Sequence, residues 1–431
     1  IKSENYQALN TILAKFKERV QTIYIDPPFN KEQDADYFYS VKYKDSSWAT
    51  MLENRLQLAK DWLNERGSIF VRCDYNGNWL VRPLMNEIFG EENFRNEIAI
   101  NRTKKIFTGV KGYNVAIDSL FFYSKTENFL FSAQYKQRAK EQKWLNMHSP
   151  GERKPPERII FGRIMYPPKG RHWTFIQETI DELVKKGRVR VNENIEYIDM
   201  LGNRVDGMPQ YLMAEEELLD SNWTDIPGYS QTQGFPTENS EILLKRVIES
   251  TSNTPSADAD TPLQKGNGDI VMDFFLGSGT TTAVAHKLGR KWIGVEMGEY
   301  FYTVVLPRMK KVLAYDKSGI SKEVKEYQGG GFFKYYELEQ YEDTLRRLNM
   351  EDSGNSYGQY VFMRDSKDTD YENRKVDLSK LYPNIDIAET LSNLLGKWIK
   401  KITPDYVEFE DGERVNIKEL DYEVIKPLIW W

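Results

Sequence analysis

The stretch 269–296, Asp-Ile-Val-Met-Asp-Phe-Phe-Leu-Gly-Ser-Gly-Thr-Thr-Thr-Ala-Val-Ala-His-Lys-Leu-Gly-Arg-Lys-Trp-Ile-Gly-Val-Glu, constrains the fold more than any other part of the chain. It reads as strand, glycine turn, helix, strand, acidic residue. Ile270–Met272 is apolar enough for a short buried strand. Gly277 and Gly279 let the backbone turn tightly and approach a ligand closely. Thr280 to Leu288 suits a helix that Gly289 ends. Lys291–Val295 reads as a second strand, with Glu296 at its C-terminal end. Open α/β sheets bind ligands beyond the carboxyl ends of their strands. An acidic side chain there can take both hydroxyls of a ribose, so the stretch predicts a nucleoside cofactor site.

The loop narrows the choice of cofactor. A P-loop needs a Lys after the second Gly, where Thr280 stands. A dinucleotide fingerprint wants a third Gly or Ala three places after Gly279, where Thr282 stands. Phe275 and Leu276 make the loop apolar, which suits an uncharged ligand edge. S-adenosylmethionine, with a ribose and an adenine but no phosphate, fits best. On this stretch alone NAD, or a tight turn without a ligand, stays open.

A second stretch lies far upstream. Thr22–Ile25 reads as a short strand, ending abruptly in Asp26-Pro27-Pro28-Phe29-Asn30. Two prolines cannot continue a central strand, so this is a stiff loop at a carboxyl edge. Beside a sulfonium donor its chemistry is specific. An exocyclic amine on a base is a poor nucleophile because its lone pair is delocalised into the ring. Acceptors on its two N–H groups draw the nitrogen toward tetrahedral geometry. The Asp26 carboxylate and the Pro27 carbonyl can be that pair, and Phe29 offers a face for stacking. A base inside a duplex is unreachable, so it must be flipped out. A lone Asp-Pro-Pro is more often a plain turn. Its place at a strand end, before an aromatic, in a chain that also carries the glycine loop, favours the catalytic reading.

The 431 residues suffice for two or three domains. One cysteine, Cys73, and three histidines cannot assemble a zinc site with normal spacing, and the cysteine usage suits a reducing cytoplasm. No apolar run is long enough to span a membrane, and there is no signal peptide. The chain starts at Ile1 without a Met, so further sequence is expected before it. Net charge is −6, unevenly spread: residues 101–190 carry 19 basic and 8 acidic side chains, whereas 191–431 carry 27 and 42. A basic segment inside an acidic chain is an electrostatic footprint for phosphate.

Taken in order, Tyr6–Phe16 reads as an amphipathic helix. Trp48, Met51, Leu52, Leu56, Ala59, Trp62 and Leu63 mark a second helix, capped by Ser46 or Ser47 and stopped by Gly67, with these aromatics in the core. Ser68–Arg72 follows as a strand, 78–89 as a helix, and Glu97–Asn101 with Ile117–Ser124 as a hairpin closing the sheet. From 129 to 232 periodicity weakens and prolines cluster. Lysines and arginines there interleave with Trp144, Phe161, Tyr166 and Trp173, as in a nucleic-acid recognition insert. A helix over 239–249 leads back to the sheet, 253–268 is a surface loop, and a helix runs from about 299 to 315. Residues 317–431 form a third region, with Gly329–Gly331 as a hinge and amphipathic stretches near 336–349 and 386–401.

With Asp26–Phe29 preceding Asp273–Thr280, the chain resembles the beta group of DNA amino-methyltransferases. It is more narrowly similar to the modification subunits of type III restriction systems, through Ile23–Asn30, Trp48–Lys60, Leu84–Phe94 and Gly329–Leu338. The resemblance implies an α/β, Rossmann-like S-adenosylmethionine-dependent methyltransferase sheet of seven strands, one antiparallel. It implies catalytic segments at 1–128 and 233–316, a target recognition domain at 129–232 and a C-terminal α+β extension at 317–431. Asp26, Pro27, Pro28 and Phe29 would be catalytic. Asp273, Phe275, Leu276, Gly277, Ser278, Gly279, Thr280 and Glu296, with Pro236 and Thr237, would hold the cofactor. Asn30, Arg102, Lys104, Lys105, Lys169 and Arg171 are the candidate DNA contacts. Glu238-Asn239 stands where the family commonly has Lys-Pro, and Ile1–Asn5 departs from its usual Ile-x-Gly-Asp-Asn. The implied activity is methylation of the N6 amine of adenine in double-stranded DNA, with a homodimer and a separate helicase-nuclease restriction subunit as partners. A stand-alone methyltransferase, also for cytosine N4, is the alternative, and an NAD-dependent oxidoreductase a remoter one. Carbon-5 methylation needs a Cys after a Pro, whereas Cys73 follows Arg72.

Overall fold

The computed structural model describes residues 1–29, 32–33, 41–42, 45–102, 108–109, 111–138, 141–230, 234–235, 237–253, 268–338, 375–376, 385–418 and 420–421. The chain divides into a larger unit, residues 1–132 with 220–431, and a smaller one, residues 133–219.

The larger unit is built on a seven-stranded sheet. We number its strands β1 (Val20–Ile25), β2 (Leu63–Cys73), β3 (Phe94–Asn101), β4 (Ile117–Ser124), β5 (Asn222–Pro227), β6 (Ile270–Asp273) and β7 (Lys291–Gly294). The spatial order is β5-β3-β4-β2-β1-β6-β7. β1 pairs in parallel with β2 and β6, β6 with β7, and β5 with β3, whereas β4 runs against β2 and β3. One strand of the seven is thus antiparallel, as expected. Six strands therefore end, and β4 begins, on the same rim.

All six residues of β1 are buried, as befits a central strand covered on both faces. Its side chains alternate between the two faces. Ile23 and Ile25 join the core formed by helix α2 (Asp45–Trp62), where Trp48, Leu52, Leu56, Ala59 and Trp62 recur at helical spacing. On the other face the Thr22 hydroxyl donates to the carbonyl of Thr251, at the end of helix α4 (Glu241–Thr251), over 3.0 Å. Helices α1 (Asn5–Thr11) and α3 (Asn78–Phe89) complete the first layer, and α5 (Thr280–Lys287) and α6 (Leu306–Leu313) follow the glycine loop. A π-helical turn, Phe301–Val305, leads into α6.

Two expectations about the sheet change. Gly67 does not stop α2: the helix ends at Trp62 and β2 already begins at Leu63, with an irregular register before Ser68. A Cβ on Gly67 would lie 2.9 Å from the Asn64 carbonyl oxygen, so the glycine serves a close approach inside the strand. The hairpin of β3 and β4 does not close the sheet either. The edge is β5, drawn from a segment expected to belong to the insert, and it pairs with β3. Residues 220–230 are therefore part of the sheet-bearing unit.

Among the described residues the smaller unit has a three-stranded antiparallel sheet, Val189–Ile198, Arg204–Leu212 and Trp144–Asn146, and one helix, Gln177–Lys185. Its core gathers Met147, Ile160, Trp173, Ile180, Tyr197 and Met208. Trp173, expected to face nucleic acid, is only 3% exposed and serves that core. Toward the C-terminus, helix α7 (Ile387–Leu395) is capped by Asp386 and followed by an antiparallel sheet of Ile399–Ile402, Tyr406–Phe409 and Arg414–Asn416. Buried Lys15 reaches Ser392 at 2.7 Å and Glu389 at 3.3 Å, tying α7 to the N-terminal helices. The amphipathic stretch expected near 336–349 lies almost wholly outside the described residues. Among the described residues no helix is long and apolar enough to cross a membrane.

Candidate active site

The Asp26–Phe29 loop leaves the end of β1, and the glycine loop leaves the end of its neighbour β6. Glu296 follows β7, one strand further on. Strands in a sheet lie about 4.8 Å apart, which puts the Asp26 and Glu296 positions about 10 Å from each other along the rim. A small ligand can bridge that span.

The Asp26 loop is pinned from below. The indole of Trp48, expected only as core, donates to the Pro28 carbonyl over 2.7 Å. Asp26 Oδ2 accepts from the Asn239 side-chain amide at 3.0 Å, while Oδ1 is buried and has no hydrogen-bond partner among the described residues. Burial pushes the Asp26 carboxyl up to about 6, although Arg72 and the Asn239 hydrogen bond pull it down. Phe29 is 8% exposed and has the Arg102 guanidinium 5.6 Å from its ring centre.

Beneath Asp26 lies a buried ionic network. Arg72, fully buried at the end of β2, donates to Asp118 Oδ2 at 2.8 Å, to the Gly228 carbonyl at 2.9 Å and to Asn239 Oδ1 at 2.6 Å. Asp118 can join because β4 is antiparallel and starts on this rim. Arg102 donates to Asp118 at 3.1 Å and to Asp74 at 3.3 Å. Arg102 was expected to meet DNA phosphate. Its charge is instead taken up by two buried carboxylates, and its stacking on Phe29 makes it a wall of the site.

In the glycine loop, Gly277 and Gly279 have φ of 55° and 82°, the left-handed region that their lack of Cβ permits. Among the described residues a Cβ on Gly277 would meet only the Phe275 carbonyl and the Phe235 ring, at 3.9 and 4.0 Å. Glu296 Oε2 accepts from the Gly277 N–H and Oε1 from the Gly298 N–H, each at 2.8 Å. Burial raises its carboxyl above the usual range. Tyr300 also bonds Glu296 and packs edge-on to Phe235 at 5.1 Å. Asn5 donates to the Phe274 carbonyl at 2.9 Å, anchoring α1 to the loop.

Several residues expected to face the cofactor turn inward. Asp273 braces the loop, accepting from the Phe275 N–H at 2.9 Å and the Thr281 hydroxyl at 2.6 Å, and burial pushes it up to about 7. The Ser278 and Thr280 hydroxyls pair with each other at 3.0 Å, and buried Arg308 reaches Thr280 at 2.8 Å. Leu276 packs on Phe301 and Val305. Phe275 and Gly277 are partly exposed, Gly279 and Glu296 are buried, and Thr237 is half-buried near the start of α4. Gly294 escaped the sequence reading. A Cβ there would lie 2.7 Å from Leu276 and 2.8 Å from Thr282, so the loop can seat on β7 only over a glycine. Lys169 and Arg171 are exposed in the smaller unit. Asn30, Lys104, Lys105 and Pro236 lie outside the described residues.

The DNA methylase family (N6/N4 type) matches residues 20–306, which include both loops. A probable type III restriction-modification enzyme HindVI Mod subunit from Haemophilus influenzae is 29% identical, over 82% of this chain and 56% of its own length. The type II methyltransferase M.EcaI from Enterobacter cloacae is 26% identical, over 71% and 68%. The type III restriction-modification enzyme StyLTI Mod subunit from Salmonella typhimurium is 23% identical, over 67% and 49%. The chain thus spans about half the length of the two Mod relatives. The family match covers more than half of the chain and includes both loops. The chain belongs to the DNA methylase family.

Proposed function

We propose that the chain transfers a methyl group from S-adenosylmethionine to the exocyclic N6 amine of an adenine flipped out of double-stranded DNA. The observation that carries this is the buried Oδ1 of Asp26, unpartnered among the described residues, one strand away from a left-handed glycine turn and two from the Glu296 carboxylate. The residues present fit the cofactor. Gly277 would admit a close ligand edge, Phe275 would offer an apolar wall, and Glu296, held by the Gly277 and Gly298 N–H groups, would accept the ribose hydroxyls on its remaining lone pairs. When bound, S-adenosylmethionine supplies an electrophilic methyl on a positively charged sulfur. Asp26 Oδ1 and the Pro27 carbonyl accept the two amine N–H groups and localise the nitrogen lone pair. As the new N–C bond forms and the methyl–sulfur bond breaks to leave a neutral thioether, Asp26 Oδ1 would take the amine proton. Phe29, backed by Arg102, stacks on the base.

Residues 133–219 act as the target recognition domain, with Lys169 and Arg171 on phosphate. By its likeness to Mod subunits the chain serves as the modification subunit of a type III restriction-modification system, dimerises with its own kind and works beside a restriction subunit in the cytoplasm. The test is Asp26→Ala. It should abolish methyl transfer to DNA while calorimetric binding of S-adenosylmethionine stays nearly intact and NAD does not bind. Equal loss of transfer and cofactor binding in a folded variant would remove Asp26 from this role.

A further inference from the structure

Asn239 stands just before α4. Among the described residues it is the side chain that hydrogen-bonds both Asp26 and the ionic network below. Its Oδ1 accepts from Arg72 Nη1 at 2.6 Å and from the Tyr24 hydroxyl at 2.9 Å. A guanidinium can only donate. The amide oxygen is therefore fixed toward Arg72, and the NH2 end is fixed toward Asp26 Oδ2, 3.0 Å away. Flipping the amide would set its NH2 against the guanidinium. Arg72 cannot drift, because Asp118 and the Gly228 carbonyl hold it and the Tyr229 ring lies 3.8 Å from it. The result is a rigid chain, Asp118–Arg72–Asn239–Asp26, drawn from β4, β2, the approach to α4 and β1.

We infer that Asn239 is the positioning residue of the methyl-transfer site: by donating to Asp26 Oδ2 it fixes the carboxylate plane and presents Oδ1 alone to the target amine. The inference rests on the role given to Asp26 above. It also explains how a desolvated carboxylate stays ionised enough to accept hydrogen bonds. A donor on the charged form lowers its pKa, and Asn239 opposes the burial that pushes Asp26 up to about 6. The groups around Asp26 are Tyr24 on its own strand, Arg72, Cys73 and Asp74 at the end of β2, Asp118 at the start of β4 and Asp273 at the end of β6. Arg72 and Asn239 favour its charged form. Asp74 and Asp118 oppose it.

Two substitutions separate positioning from scaffolding. Asn239→Asp keeps an oxygen for Arg72 and Tyr24 but replaces the donor with an acceptor. Asn239→Ala removes both. Single-turnover transfer from tritiated S-adenosylmethionine to unmethylated genomic DNA is followed against pH. The Asp26 carboxyl is titrated separately by carbon NMR on the cofactor-free protein. The acidic limb should rise by about one pH unit in Asn239→Ala, the loss of one charge-assisted hydrogen bond. It should rise further in Asn239→Asp, where two carboxylates share a site. The NMR titration should move with it, and cofactor affinity should not. If Asn239→Ala does not fold, Asn239→Asp carries the test through its retained acceptor contacts. Unshifted limbs and titrations in folded variants, with Asp26→Asn inactive, would overturn the positioning role alone. An active Asp26→Asn would overturn the reading of Asp26 itself.

Discussion

Replacing Asp26 by Asn removes a charge that the fold holds at a cost. Burial moves its carboxyl from 3.8 to about 6, a rise that Arg72 and Asn239 only partly offset. A raised native pKa means that the folded state binds the proton more tightly than the unfolded chain. The group therefore favours folding fully below the unfolded value, and the contribution is lost as pH rises through about 6. From these two values the wild-type protein should lose on the order of 2 kcal/mol of this contribution between pH 4 and pH 8, roughly half of it between pH 5 and pH 8. The figures are ceilings, because the residue keeps some exposure at the loop and solvent screens the charge. The amide that takes its place has no such proton. The stability of Asp26→Asn relative to wild type should accordingly climb with pH by up to that amount, while methyl transfer is lost. Urea unfolding of both proteins at matched pH values measures the difference, and using the difference cancels every other titrating group. A difference that stays flat to within about 0.5 kcal/mol would refute the desolvation argument, whatever happens to activity.

Other outcomes follow from the same geometry. Gly294→Ala should displace the Leu276 and Thr282 side chains that its Cβ would meet. Overpacking of this kind costs about 1–3 kcal/mol, so thermal unfolding should fall together with cofactor affinity. Glu296→Gln exchanges one acceptor of the Gly277 and Gly298 N–H groups for a donor. Hydrogen bonds to charged groups contribute about 1.5–3 kcal/mol, so calorimetry should show S-adenosylmethionine binding weakened by at least tenfold. Replacing Lys169 and Arg171 together by Ala should flatten the slope of log affinity for DNA against log salt by about 1.8. An unchanged slope would place the phosphate path elsewhere.

What was legible in the sequence was what neighbours in the chain decide. The Gly277–Gly279 turn follows from φ values that only glycine adopts easily, and the flanking strands follow from short apolar runs. Asp26-Pro27-Pro28 announced a strand end because proline cannot continue one. The ionic floor could not be read. Arg72 meets Asp118 across 46 residues and Asn239 across 167, and only the sheet order brings them together. Arg102 counted toward a basic footprint because a charge count cannot see Asp74 and Asp118 beside it. Ser278 and Thr280 looked like ligand contacts because they are polar and sit in the loop, yet their hydroxyls turn to Arg308. β5 went unnoticed because only Trp223 and Ile226 of its six residues are buried, in an otherwise polar segment.

The rim also has a charge balance that bears on the donor. Asp26, Asp74, Asp118, Asp273 and Glu296 stand along it, against Arg72 and Arg102. Asp26, Asp273 and Glu296 all have their carboxyls raised by burial, and Asp26 and Glu296 each add to the rise at Asp273. A positive sulfonium placed among them would favour their ionised forms. The thioether left after methyl transfer has no such charge, though the rest of that molecule is the same. By linkage, binding of S-adenosylmethionine should release protons that binding of its thioether product does not. Its affinity relative to the product should therefore rise with pH through the range from about 6 to about 7 that the Asp26 and Asp273 carboxyls define. Calorimetry in two buffers of different ionisation enthalpy counts those protons directly. Identical proton release for the two ligands would show that the carboxylates along the rim do not sense the sulfur, and that their desolvation serves the fold alone.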